Sequence, residues 1–147
     1  MKTKVEIKKL NENAVVPTYG TEFSAGADLY AVVDGTVTIG PGETKMIGTG
    51  LAFAIPVGLV GLVFARSGLA TKKGLAPANK VGVIDSDYRG EVRVVLHNHG
   101  TVAQTIENGE RIAQIAFVPY YSADFTVVEE LDTTLRGEGG FGSTGSK

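Results

Sequence analysis

Apolar and polar residues along the chain fall into short runs separated by turn signals. "KVEIKKL" (residues 4–10) alternates, as a half-buried strand does. "VDGTVTI" (33–39) carries the pair Asp34–Gly35, which predicts a hairpin turn, and "IGPGE" (39–43) is a second turn signal. Then come "TKMIGTGLAFAI" (44–55), "GLVGLVFA" (58–65), "KVGVID" (80–85), "EVRVVLHN" (91–98), "ERIAQIAFVPY" (110–120) and "FTVVEEL" (125–131), all rich in β-branched and aromatic residues. No long segment has a 3.6-residue period. Only Ser67 to Lys73, "SGLATKK", predicts a short helix. Many short strands at regular spacing predict an all-β fold, an antiparallel sandwich or barrel.

Length and composition narrow the picture. A chain of 147 residues suits one domain, and 43% hydrophobic residues suffice for a core. There is no internal repeat. The one shift in composition comes at Thr133, beyond which Gly, Ser and Thr replace the apolar strand residues. This predicts a single domain over residues 1–132 and a flexible glycine-rich C-terminal arm over 133–147. The 14 basic and 16 acidic residues sum to −2, without the basic excess of a general nucleic-acid binder. Cysteine is absent, which excludes disulfides and thiolate metal sites and suits a reducing compartment. "MKTKVEIKKL" lacks a signal-peptide apolar region, and no run is long enough for a membrane helix. The expectation is a cytoplasmic protein with neither nucleic-acid nor membrane partners. Exposed edges of a small sandwich also favour symmetric oligomers.

Five stretches carry candidate chemistry. In "KVGVIDSDYRGE" (80–91) an apolar strand ends at Asp85, where a carboxylate can act as a base toward water, or can simply belong with Asp87 to a hairpin turn. In "ARSGLATKKG" (65–74) Arg66 offers a bidentate fork for phosphate, and Ser67 a hydroxyl at a helix start; the other reading is an N-cap beside a surface charge. Asp28 in "SAGADLY" can face Mg²⁺ through water, or serve in a turn. Gln114, among apolar neighbours in "NGERIAQIAF", either binds a ligand or bridges strands. The tail "RGEGGFGSTGSK" is neither a P-loop, lacking the Lys and helix, nor a dinucleotide fingerprint, lacking the βαβ unit. Arg136 can still pair with phosphate, and Phe141 can stack on a flat ring. His97 and His99 flank Asn98 on one face of a strand, but no third nitrogen or sulfur ligand is visible, so the end of a hairpin is the competing reading.

In this order "AGADL" (25–29), "ARSGLA" (65–70), "GVIDSDYRGE" (82–91), "GERIAQ" (109–114) and "RGEGGFGSTG" (136–145) resemble the five motifs of the homotrimeric deoxyuridine triphosphatase (dUTPase) family. The one departure is Ala65, where many members have Pro. The resemblance implies a β jelly roll and a homotrimer with shared interfacial active sites, the fifth motif arriving on the arm. It implies hydrolysis of dUTP to dUMP and diphosphate with Mg²⁺, which limits uracil in DNA and supplies dUMP for dTMP synthesis. Asp85 resembles the carboxylate that activates water for attack on the α-phosphorus. Tyr88 resembles the aromatic that packs on deoxyribose, and Asn79 with the backbone of Gly82, Val83 and Ile84 the uracil-reading hairpin. Arg66, Ser67, Gly68 and Gln114 match phosphate-binding positions, and Asp28 the carboxylate that holds Mg²⁺ through water. Arg136, Gly142 and Ser143 match the γ-phosphate grip, Phe141 would lie over uracil, and Arg93 would neighbour the substrate. Two alternatives stay open: a dCTP deaminase-type enzyme on the same fold, and a non-catalytic trimeric jelly roll that binds or regulates.

Overall fold

A computed structural model describes residues 3–140; Phe141, Gly142 and Ser143 lie outside the described residues. Eleven strands and one helix occupy the described chain. The strands are β1 (Glu6–Lys9), β2 (Thr18–Tyr19), β3 (Ala27–Tyr30), β4 (Thr36–Ile39), β5 (Thr44–Ala54), β6 (Leu59–Phe64), β7 (Leu75–Pro77), β8 (Gly82–Ile84), β9 (Glu91–Asn98), β10 (Gln104–Glu107) and β11 (Arg111–Pro119). The helix α1 covers Ser67–Lys73, as its sequence predicts, and stops where Gly74 enters the left-handed region at φ 65°.

Every pairing is antiparallel, in a four-stranded sheet β1-β5-β9-β7, a five-stranded sheet β2-β3-β11-β6-β8, and the pair β10-β4. This is the expected all-β jelly-roll-like sandwich. Alternation drives it most clearly in β9, where Val92, Val94, Leu96 and Asn98 point inward and Arg93 points out. Their apolar side chains join Leu29, Phe53, Ile112 and Ile115 from the other strands in one core. Burying a side chain of this size contributes about 1.5–3 kcal/mol, which sets the register of both sheets.

Three local expectations are corrected. Asp34–Gly35 makes a turn but no hairpin, because β4 pairs with β10 rather than with its predecessor. The chain likewise leaves β9 at Asn98 and crosses to β10 in another sheet, so the His97–His99 stretch ends no hairpin. The run 125–131 forms no strand, since nothing among the described residues pairs with it. Its apolar side chains stand in solvent, Phe125 at 91%, Val127 at 98% and Leu131 at 83% exposure.

Candidate active site

Two groups of predicted residues are assembled, at different places. The first is a carboxylate clamped between arginines. Arg66 follows β6 at the N-cap of α1, where its Nε donates to Asp28 Oδ1 at 2.7 Å. Arg111 Nη1 donates to Asp28 Oδ2 at 3.2 Å, and Arg66 Nη1 donates to the Arg111 carbonyl at 3.4 Å. Ser67 is the first helical residue and not the cap: the Arg66 cap has no side-chain hydrogen bond. Ser67 and Gly68 are exposed beside the clamp.

Arg111 was missed by reasoning on single motifs, and its position has a clear origin. Ile112 and Ala113 are consecutive and both fully buried, which regular alternation forbids. A β-bulge between Arg111 and Ala113 resolves the conflict by turning Ile112 inward and Arg111 outward, onto the face that carries Asp28. The neighbouring apolar pair ahead of Gln114 is the sequence signal that announces it.

Gln114 lies opposite both Asp28 on β3 and Phe64 on β6. Its Nε2 donates to the Ala65 carbonyl at 2.8 Å, so it ties β11 to the segment that presents Arg66. It also packs over Gly26, where a Cβ would collide with its Oε1. The bridging role is therefore real, and the amide sits at the edge of the clamp.

The second group surrounds Asp85. The strand β8 is the edge of the five-stranded sheet, pairing only with β6: Gly82 with Val63, Val83 with Leu62, Ile84 with Gly61. One side of its backbone is thus unpaired and open to a ligand. Before it, Asn79 and Lys80 make a tight turn in which Val81 N donates to the Asn79 carbonyl at 2.7 Å. After it, Tyr88 N donates to the Asp85 carbonyl at 3.2 Å, closing the turn, and Arg89 Nη1 donates to the Ser86 carbonyl at 2.7 Å. Tyr88 folds over Gly90, its hydroxyl donating to the Glu91 carbonyl at 3.0 Å. Asp85 is exposed at the rim of a cleft of ≈ 570 Å³ lined also by Val60, Val83, Asp87 and Tyr120. The stretch "DSDYRG" is a turn but not the turn of a hairpin, because β8 pairs with β6 and the chain passes on to β9 in the other sheet.

The two groups do not meet within one chain. Ile84 pairs with Gly61, so Asp85 stands level with Val60, whereas Arg66 lies beyond the far end of β6. Six residues of extended chain separate those levels, roughly 20 Å at about 3.3 Å per residue. Arg93 belongs to neither group. It lies on β9, its Nε donating to Glu91 Oε2 at 2.7 Å, in a depression with Met46 and Leu10. Arg136 is exposed, its Nε donating to the Gly139 carbonyl at 2.7 Å.

Among the described residues no three His, Cys, Asp or Glu side chains converge on a point. Asp28 already accepts from guanidinium groups on both oxygens. That arrangement is unsuited to an all-protein metal cage, but it fits a hydrated Mg²⁺ held mostly by substrate oxygens and water.

Comparison with known proteins agrees with the motifs. A model of the dUTPase family matches residues 12–145. A deoxyuridine 5'-triphosphate nucleotidohydrolase of Nautilia profundicola is 52% identical over 142 residues, covering 97% of this chain and 99% of the relative. One from Shewanella oneidensis is 44% identical over 152 residues, with both chains fully covered. Among solved structures, a Staphylococcus bacteriophage 80alpha dUTPase with dUpNHpp superposes at a TM-score of 0.90 and 31% identity, over 98% of this chain and 99% of that one. A dUTPase from phage phi11 of S. aureus, described for the coordination of a structural Mg(II) ion, gives 0.81 at 26% identity, over 89% and 100%.

Proposed function

The chain belongs to the dUTPase family and hydrolyses dUTP to dUMP and diphosphate, and we propose that Asp85 is the base that activates its water. The observation that carries this reading is the separation along β6. Asp85 and the cationic clamp sit roughly 20 Å apart in one chain, several times the spacing between the α- and γ-phosphorus of a triphosphate. A site that uses both is built from two copies. We therefore propose a homotrimer whose active sites lie at the interfaces, one copy supplying Asp85 and another Arg66. The exposed apolar residues of 125–131 support contact with a neighbouring copy.

In this arrangement Asp85 orients a water molecule and takes its proton as oxygen attacks the α-phosphorus. The bond to the bridging oxygen breaks, and diphosphate leaves. The unpaired edge of β8, at Gly82, Val83 and Ile84, together with Asn79 reads the uracil edge by hydrogen bonds. Tyr88 packs on the deoxyribose and leaves no room for a 2′-hydroxyl. Arg66, Ser67, Gly68 and Gln114 hold the phosphates at the far end, and charge neutralisation and alignment there supply most of the catalysis. Mg²⁺, when bound, offsets the triphosphate charge, with Asp28 holding its water shell. Residues 133–147 act as an arm that closes over the site of the 1–132 domain, Arg136 and Ser143 meeting the γ-phosphate, Gly142 giving close backbone approach and Phe141 covering uracil. Arg93, on β9 and bonded to Glu91, meets substrate as a neighbour of the site. No described helix is long and apolar enough to cross a membrane. A cytoplasmic location is part of the proposal, since a chain without cysteine suits a reducing compartment.

The deaminase and the non-catalytic module are not favoured by a family match that spans residues 12–145. The decisive experiment is Asp85→Asn. Diphosphate release from dUTP falls by at least about 10²-fold while dUTP binding persists, as loss of a general base requires. Unimpaired turnover would remove Asp85 from the mechanism.

A further inference from the structure

The dUTPase reading leaves unused a pair of histidines whose rings lie side by side. His97 is on β9 directly opposite Thr44 on β5, and His99 follows the end of that strand. Their rings face one another at a centroid separation of 4.4 Å, nearly perpendicular at 67°. Two nitrogens on one tetrahedral Zn²⁺ are roughly 3.3 Å apart, given bonds of about 2.0–2.1 Å. The 4.4 Å between the ring centroids is of the same order.

The backbone beneath the pair is held firmly. Asn98, between the two histidines, is fully buried. Its Nδ2 donates to the carbonyls of Ile39 at 2.9 Å and Val102 at 2.8 Å, and its Oδ1 accepts from Gly100 N at 2.9 Å. Its own N donates to the Glu43 carbonyl at 3.0 Å, and its carbonyl accepts from Gly42 N at 2.9 Å. His99 N donates to the Gly74 carbonyl at 2.8 Å. With the central residue locked inward, the residues on either side must both project outward. His97 also has the supporting contact that metal-binding histidines use. Nδ1 lies 2.9 Å from Thr44 Oγ1, and in the tautomer whose Nδ1–H donates to that hydroxyl, Nε2 presents its lone pair to solvent.

We propose that His97 and His99 form a surface chelate for a borderline transition-metal dication such as Zn²⁺, Ni²⁺ or Cu²⁺, separate from the Mg²⁺ of the reaction. Imidazole suits these ions, whereas Mg²⁺ requires oxygen ligands, so Mg²⁺ does not compete for the histidine pair. With two protein ligands, the remaining coordination positions belong to water, and binding is reversible.

The test is calorimetric titration of the full chain with Zn²⁺ in the presence of excess Mg²⁺, with Cu²⁺ electron paramagnetic resonance to count nitrogen ligands. One ion per chain and two imidazole nitrogens are expected. His97→Gln and His99→Gln each weaken binding at least about tenfold by breaking the chelate. Thr44→Val, which keeps both ligands, weakens it by about tenfold through the lost supporting contact. Diphosphate release from dUTP with Mg²⁺ is unchanged in all three variants. Absence of Zn²⁺ binding, or binding that survives both histidine substitutions, overturns the proposal.

Discussion

The proposed shared site has a quantitative consequence that a one-chain site lacks. Take two variants, Asp85→Asn and Arg66→Gln, each inactive alone because one side of every interface is damaged. Mix them in equal amounts under conditions that let copies exchange. An interfacial site works only when its Asp85 comes from an Arg66→Gln chain and its Arg66 from an Asp85→Asn chain. Random assortment makes that true for about one site in four, so the mixture recovers about a quarter of wild-type turnover. If both residues served the same site from one chain, no mixed assembly would contain an intact pair and recovery would be nil. The proposal expects the first result, because Asp85 is level with Val60 while Arg66 lies past Phe64, at opposite ends of β6. Arg66→Gln also removes the 2.7 Å contact to Asp28. A hydrogen bond to a charged group is worth about 1.5–3 kcal/mol, within the 5–15 kcal/mol of a typical fold, so the variant still folds. The assay is diphosphate release from dUTP at saturating Mg²⁺, with assembly of each sample checked by light scattering. Correctly assembled mixtures that stay inactive would refute the two-copy site.

Three further outcomes follow from single contacts. Arg66→Gln lowers stability by about 1.5–3 kcal/mol but Arg111→Gln by less than about 1 kcal/mol, because the Arg66 side chain is 26% exposed and that of Arg111 53%; equal urea midpoints at one protein concentration would contradict this. Gly50→Ala forces a left-handed residue at φ 64° to carry a Cβ 2.9 Å from that of Ala14, costing roughly 2–5 kcal/mol by backbone strain and overpacking; a melting temperature equal to wild type would dismiss it. His99 is held below the ordinary histidine range by desolvation, then by His97 and Lys80. Its NMR titration midpoint should therefore fall below about 6.5. The neutral ring is favoured in the fold, so its contribution to stability is present above the ordinary pKa and is lost as pH falls toward the folded value. A midpoint above that of a free histidine would reverse the assignment.

Much of this fold was legible because one physical rule dominates it. The alternation in "EVRVVLHN" specifies a strand with one buried face, and the helix 67–73 announces itself by its isolation and by Gly74. Pairing was less legible. Asp34–Gly35 has the letters of a hairpin, yet β4 finds β10 about seventy residues away in the chain, because burial of Ile39 and Ile106 outweighs the local turn preference. Arg111 was not legible, because regular alternation does not put it on the face of Asp28, and the bulge at Ile112 does.

The site itself was legible as residue types but not as a place. Chain order brings Arg66 and Asp85 within twenty residues of each other, which suggests proximity, while antiparallel pairing sends them to opposite ends of β6. Sequence spacing carries no information about which copy a residue serves. What does carry it is unsatisfied surface. An edge strand with open backbone, a base at the rim of a cleft, and an apolar run with no strand of its own to join are each incomplete in one chain. In the proposed assembly a second copy completes each of them, and a closed threefold arrangement does so for every chain alike. The proposed assembly is therefore part of the active site's construction and not an addition to it.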